Sequence, residues 1–467
     1  MRTIVKILSI AILLAVFIPN NIAQKLKKID SKFPLHWSSN SGNVTYRSNI
    51  VYYNGKIIIG SNGENYKDYA IDNNNGVRVL DAKTGRKIYS FAGESWGDMD
   101  VNGILVYKNK LYFGNDNDEF LCTSFDGEIY WRVPTSGDIE HQAYLINKQI
   151  VFATETGEVR AVNPSNGNTK WVYYHPDAYG WKQGDNRLVF KIRTHFYSGH
   201  IFFDKPQVAD FNLDGVPDLL YKNLYAINGA NGKLLFNIKS ESETVKDFYS
   251  FGKRNIAIVG KGSNKKILVN RVLYKYERSD NSFSGITSYK NQILVYNRFG
   301  KKVDSKVYSL AETSSVSLNS LQESTNTTII PFRKSLFVYD ITKDKPKFIK
   351  TKNMKYKVVV GNKEELRDRF PMAPIIGNRV FEYKNEQCVM LLYQFDKLSK
   401  NSQAAVSIVG LTSKKTHCVY HLPNGSECVP HIEDVTGDGK LDLLVSCYGG
   451  NLYCYNLGIS LEKLASK

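Results

Sequence analysis

The chain has 467 residues, with 62 Lys and Arg against 45 Asp and Glu and a formal net charge of +17. That length allows two or three ordinary domains or one large closed β-architecture. The basic residues are scattered rather than clustered, so the charge alone does not point to nucleic acid, and no segment after the N-terminal apolar run is long enough to span a bilayer.

Arg2 and Lys6 lead into the apolar run 7–18, which is followed by a polar stretch with Ala23 just before Gln24. This is the pattern of a secretory signal peptide over 1–23, leaving 24–467 as the exported chain. The first cysteine is Cys122, too far on to carry a lipid at the cleavage site. The expected location is outside the cytoplasm, secreted or in the periplasm and cell envelope.

Beyond it no long stretch has helical periodicity. Short alternating β-branched and aromatic runs recur between glycine turns, so the chain reads as almost entirely β. Four segments superpose: "DAKTGRKIY", "SFDGEIYW", "NPSNGNTKW" and "NGANGKLLF". Each places a turn glycine four residues before an aromatic, pairing Gly85 with Tyr89, Gly127 with Trp131, Gly167 with Trp171 and Gly232 with Phe236. The first intervals are about 40 residues, the length of one four-stranded propeller blade. "GDMDVNG" from Gly97 and "GDIEHQA" from Gly137 repeat at the same spacing, each ahead of a strand. A single blade cannot bury both faces of its sheet, so blades stack around an axis with the aromatics between neighbours. With 12% aromatic residues the chain can supply that packing.

The segment 175–205 interrupts the repeat and is rich in aromatic and basic residues. Immediately after it, "DFNLDGVPD" places Asp210, Asn212, Asp214 and Asp218 at positions 1, 3, 5 and 9 around Gly215. That is how a calcium loop begins, with the backbone carbonyl of Val216 as a further ligand, although Tyr221 replaces the acidic twelfth residue of an EF-hand. Near the C-terminus Asp434, Thr436, Asp438, Gly439 and Asp442 repeat the spacing, with Lys440 supplying the carbonyl. Residues 240–370 fit the repeat poorly, so the count is seven or eight blades, with eight favoured. Five of the six cysteines fall after 387, and "CVYHLPNGSEC" reads as a hairpin whose Asn-Gly turn closes a disulfide between Cys418 and Cys428. The pairing of Cys388, Cys447 and Cys454 is left open. The last segment, from Gly450, supplies the third strand of a blade, and "KFPLHW" at 32–37 is a lone outer strand, so the N-terminal strand is expected to close the last blade.

The glycine-turn and aromatic units resemble the PQQ-like, or quinoprotein-type, β-propeller repeat, and the acidic loops resemble the FG-GAP or VCBS-type propeller repeat. Only Trp131 and Trp171 keep the tryptophan of the first pattern. The resemblance implies a single all-β propeller with structural calcium. It also brings in quinone-dependent dehydrogenases, but the adjacent-cysteine pair that stacks on their cofactor is absent, and PQQ is not expected.

Propellers host many activities, so function has to come from a site. The main expectation is a monomeric, non-enzymatic scaffold that binds a protein or glycan, with Trp181, Arg193 and His195 in the insertion as binding candidates, joined by Asp100, Glu140 and His141 near the inner strands. No catalytic residue is assigned and nucleic acid is not expected as a partner. The alternatives are a secreted carbohydrate-active lyase or hydrolase, using carboxylates and a histidine for acid-base work, and an envelope-assembly propeller similar to the PQQ-like lipoprotein of outer-membrane protein insertion.

Overall fold

In the computed structural model the short β-branched and aromatic runs become strands, joined mostly by turns that glycine or asparagine can make, and the described residues contain no α-helix. The structure describes residues 33–464 apart from 64–74, 92–98, 179, 183–184, 190–200, 203, 239–247, 280–281, 309–318, 323–325, 333–334, 344–345, 351–355, 361–362, 368–373 and 395–402. The leader expected over 1–23 lies outside them.

Eight sheets of four antiparallel strands form a ring. Blades 1 to 7 occupy 50–91, 105–134, 144–174, 207–237, 248–308, 321–350 and 375–421, each running from its first strand to its fourth in sequence order. First strands of successive blades touch one another, so they line the axis and the fourth strands form the rim. Blade 8 takes three strands from the C-terminus, His431–Glu433, Lys440–Cys447 and Asn451–Ser460. Its outer strand is Leu35–Asn40, which pairs antiparallel with Asn451–Ser460, placing Trp37 opposite Cys454. The ring is therefore closed by joining the two ends of the chain, which leaves no unpaired edge at the seam.

Neighbouring blades are held by the aromatics the repeat singles out. The contact runs from the outer strand of one blade to the turn glycine of the next. Trp37 lies on Gly85, Tyr89 on Gly127, Trp131 on Gly167, Trp171 on Gly232 and Phe236 on Gly300, with ring atoms 2.2 to 2.8 Å from the Cβ that each glycine lacks. All five glycines also have φ between 67° and 89°, so the position needs glycine twice over. Trp37 and Trp131 add a hydrogen bond from Nε1 to the carbonyl three residues before the glycine, Ala82 at 3.0 Å and Pro164 at 3.1 Å. Between blades 6 and 7 the aromatic is replaced: Lys347 donates from Nζ to Leu411 O at 2.6 Å, making the same rim-to-turn connection with a flexible side chain.

Near the axis asparagines stitch the blades together. Asn49 brackets Ile104, accepting from its N–H at 2.9 Å and donating to its carbonyl at 2.8 Å, and Asn319 treats Ile376 in the same way. Asn378 accepts from the N–H of Ile432 at 2.8 Å. Between axis and rim the sheets are packed by apolar side chains; the largest group joins blades 7, 8 and 1.

The hairpin expected between Cys418 and Cys428 is corrected. Cys418 belongs to the outer strand of blade 7, Thr416–His421, which pairs with Ala404–Gly410, while Cys428 lies in the connection running from the rim to the axis. An Asn-Gly turn suits such a connection as well as a hairpin. All six cysteines are buried, and no disulfide joins Cys418 to Cys428.

The latch predicts a measurable asymmetry between glycines of similar φ. Gly215, at φ 84°, has nothing within 4 Å of a Cβ, whereas Gly167, at φ 73°, meets the Trp131 ring at 2.8 Å. Gly215→Ala should cost about 1–2 kcal/mol of backbone strain, and Gly167→Ala about 1–3 kcal/mol more through overpacking. Urea unfolding of the two variants reads the difference directly.

Candidate functional site

In each blade the strands alternate in direction, so the connections between blades and the turns joining second to third strands emerge on one face. The turns joining first to second and third to fourth strands emerge on the other. Backbone bonds such as Asp116 N to Asp100 O at 3.2 Å and Glu155 N to Asp138 O at 2.9 Å join a turn of the first kind to the connection beside it.

On that first face the connections converge on a cavity of about 270 Å³ at the axial end, lined by Arg47, Tyr144, Asp204, Lys205, Lys222 and Asn255 among others. The volume is just below the range of small-molecule sites, enough for a side chain or a small polar group. Its wall is an ionic network assembled from separate blades. Arg47 pairs with Glu140, whose Oε2 also accepts from Asn102 Nδ2 at 2.8 Å. Lys222 pairs with Asp204 at 2.8 Å, and Lys205 donates from Nζ to Ser48 O. Tyr46 lies within 6.0 Å of both the Arg47 guanidinium and the Lys222 ammonium.

Burial dominates the protonation of this network. It pushes the Lys205 ammonium down to about 8, and the His141 imidazole down to about 4. The neutral His141 donates from Nδ1 to Gln142 O at 2.9 Å, and its buried Nε2 has no partner among the described residues. Burial pushes the Glu427 carboxyl up to about 7, against the opposing pull of Arg47. One of its oxygens is likewise buried without a hydrogen-bond donor.

Of the candidates drawn from the sequence, Glu140 and His141 reach this site. Asp100 stays in the connection between blades 1 and 2, its carbonyl engaged by Asp116. Trp181 belongs to a two-stranded hairpin, Gly180–Lys182 with Asp185–Val189, and Arg193 and His195 lie outside the described residues. Arg47, Asp204, Lys205, Lys222 and Glu427 are not apparent from the sequence. The available signal is positional: Arg47 and Glu427, like Glu140, stand a few residues ahead of a first strand, where the ring turns side chains toward the axis.

The two acidic loops lie on the opposite face, each between the first and second strands of a blade. In the first, Asp210 accepts the N–H of Leu213 at 2.6 Å and of Gly215 at 3.1 Å, and Asp214 accepts that of Val216 at 2.8 Å and the Asn212 amide at 2.7 Å. Asp218 is buried and turned inward, accepting from Phe211 at 2.8 Å and Gly229 at 3.0 Å. The second loop repeats this: Asp434 accepts from Gly437 at 2.7 Å and Gly439 at 3.0 Å, Asp438 from Lys440 at 2.9 Å, and the buried Asp442 from Val435 and Thr436, each at 3.0 Å. Among the described residues no three carboxylate, imidazole or thiol side chains stand together as a metal shell.

Because the folded-state carboxyl of Glu427 titrates at about 7 instead of the usual 4.5, its contribution to stability is present below pH 4.5 and is lost as the pH rises through 7. Glu427→Gln removes this loss. The variant should gain on the parent by about 2–3 kcal/mol between pH 5 and pH 8, measured as the difference of urea midpoints at the two pH values. A constant difference would show that Glu427 is not a buried acid.

Comparison with known proteins gives matches over part of the chain. Residues 73–188 match the family model described as outer membrane protein assembly factor BamB. Curated relatives with that description are 22% identical over 113 residues in Yersinia pestis and 28% identical over 72 residues in Shewanella oneidensis. These segments are 22% and 15% of this chain and span 29% and 18% of the relatives' lengths. Among solved structures, Sqt1 of Saccharomyces cerevisiae superposes with a TM-score of 0.53 at 10% identity, covering 91% of this chain and 99% of that one. This likeness concerns the fold alone. Ring, repeat and family match together make the chain an eight-bladed β-propeller of the PQQ-like repeat type.

Proposed function

We propose that this chain is an exported, non-enzymatic propeller of the cell envelope that docks a protein partner on the face carrying its blade-to-blade connections, as an envelope-assembly factor would. The matched relatives are named as outer membrane protein assembly factors, and the observation that carries the reading is the relief of that face. Three two-stranded projections leave it. One is the hairpin 180–189 between blades 3 and 4, and another is Tyr356–Val360 with Lys363–Arg367 between blades 6 and 7. The third is the tip of blade 5, whose central strands Lys266–Ser279 and Ser282–Asn297 have 14 and 16 residues where most other strands have three to seven. Among the described residues the first two hairpins pair with no third strand, so each offers backbone donors and acceptors along its edges. A partner strand can add there, with side chains supplying selectivity.

The working unit in this proposal is a monomer. No helix among the described residues is long and apolar enough to cross a membrane. The test is photocrosslinking from single positions in the source cells. Probes in 356–367 should trap an envelope protein, and a probe at Asn166, in a turn of the opposite face, should not; equal trapping from both, or trapping from Asn166 alone, contradicts the proposal.

The acidic loops are proposed as structural calcium clips. The support is that each keeps two carboxylates near its tip, Asp210 with Asp214 and Asp434 with Asp438, beside a glycine at φ 84° or 79°. A cation held by those carboxylates and the Val216 and Lys440 carbonyls would bind the folded chain alone, stabilising it by about 2.7 kcal/mol per site at a hundred times the dissociation constant. Chelator should lower the melting temperature, and Asp214→Ala should remove about half of that response. A melting curve indifferent to calcium and chelator leaves the loops as hydrogen-bonded turns.

A further inference from the structure

The two faces of the ring carry opposite charge. Among the described residues, the turns joining first to second and third to fourth strands hold 13 Lys and Arg against 6 Asp and Glu. The blade-to-blade connections and the turns joining second to third strands, the two inserted hairpins apart, hold 3 against 9. Basic residues that look scattered along the chain are thus sorted by the fold, because alternate turns of each blade emerge on alternate faces. On the face that carries the glycine latches, 11 of the 13 cations are exposed, and every blade from the first, with Lys83, to the seventh, with Lys414, contributes at least one. Of the six carboxylates there, Asp210, Asp214, Asp434 and Asp438 are turned onto N–H groups of their own loops.

The same face also puts apolar side chains into water. Phe299, in the turn between the third and fourth strands of blade 5, is 60% exposed, and Leu213, in the acidic loop of blade 4, is 42% exposed. Arg298 holds the two tips together: its Nη1 donates to Phe211 O at 2.6 Å, and its guanidinium lies 3.8 Å from the centre of the Phe299 ring. The buried Lys265, from the other turn of blade 5 on this face, braces the same loop by donating to Asp210 O. Neither Gly215 nor Gly262 has an atom within 4 Å of where a Cβ would stand, so the loops that carry them project into open space instead of walling a groove. Lys261 and Lys301 stand exposed on the two turns of blade 5.

We propose that the latch face rests on a membrane surface of anionic lipid, with Phe299 and Leu213 entering the headgroup region. Cations spread over seven blades match a plane of negative charge, whereas a nucleic acid or an acidic polysaccharide is a strand and is held by a stripe or groove. The apolar tips point the same way. A bilayer offers hydrocarbon just beneath its charge, and a polyanion dissolved in water does not. Charge and shallow insertion are each weak alone and together give a stable attachment. The acidic face then points away from the lipid and stays open to a protein partner, although the membrane contact does not depend on that partner.

The test is co-sedimentation with vesicles of the chain without its leader, residues 24–467, so that the apolar run 7–18 cannot anchor it. Phosphatidylcholine vesicles containing about 30% phosphatidylglycerol are compared with pure phosphatidylcholine. The parent should bind the anionic vesicles at least about tenfold more tightly, and the margin should shrink between about 0.1 and 0.5 M salt. Lys301→Gln should weaken that binding about fivefold. Arg132→Gln, the same change of charge at an exposed position in the outer strand of blade 2, should weaken it less than about twofold. Phe299→Ser with Leu213→Ser, which leaves the charge unchanged, should weaken it about tenfold. Circular dichroism checks that the variants fold. No preference for anionic vesicles, equal losses from Lys301→Gln and Arg132→Gln, undiminished binding without the two apolar tips, or tighter binding of polygalacturonate or single-stranded DNA than of the vesicles overturns the proposal.

Discussion

A flat aromatic side chain laid on a glycine turn of the next blade is the contact on which the rest of this molecule depends. A four-stranded sheet has two apolar faces and cannot cover either one alone, so each blade is stable only against neighbours. The latch sets how closely neighbours approach, because the ring occupies the space a Cβ would take. Five successive interfaces from blade 8 through blade 1 to blade 5 use it, and the first of them begins on Trp37, the strand that closes the ring. Closure and inter-blade packing are thus one interaction repeated, and the seam differs from the other interfaces only in joining distant parts of the chain.

That arrangement separates the chemistry by face. Turns between third and fourth strands carry the latches, so that face is rigid and regular. The connections between blades carry no latch and can lengthen freely, which is where the two inserted hairpins emerge. Their converging ends bring Arg47, Glu140, Lys205 and Glu427 together at the axis from parts of the chain up to 380 residues apart, 47 to 427. A buried set of charges held this way costs solvation and needs each partner in place, so the network fixes how the blades meet at the axis as well as shaping the cavity.

Much of the fold was legible because the repeat is local. Gly85 with Tyr89 and its three successors showed the blade length, and the lone strand ending on Trp37 showed the closure, since each signal lies within about ten residues. Residues 240–370 resisted for physical reasons: blade 5 has unusually long strands, and blade 6 offers Lys347 where the pattern calls for an aromatic. The Cys418 and Cys428 reading failed because an Asn-Gly turn signals a change of direction without saying which strands it joins. The axial site was legible only in Glu140 and His141, because its other members come from different blades and meet only through the ring. Trp171 packs on Gly232 as the repeat predicts, whereas the lack of an acceptor for its Nε1 among the described residues follows from three-dimensional placement that no local sequence pattern carries.

The central claim is that the closing strand is as much a part of the cooperative ring as any interior strand. Native-state hydrogen exchange, followed by mass spectrometry at low denaturant, tests it most directly. If the latch on Gly85 and the pairing with 451–455 close the ring, the amides of 35–40 should exchange only with the opening free energy seen for the central strands of blade 4 at 218–227. Exchange of 35–40 through a local opening several kcal/mol below that of blade 4 would show a frayed end resting on a ring held by something else.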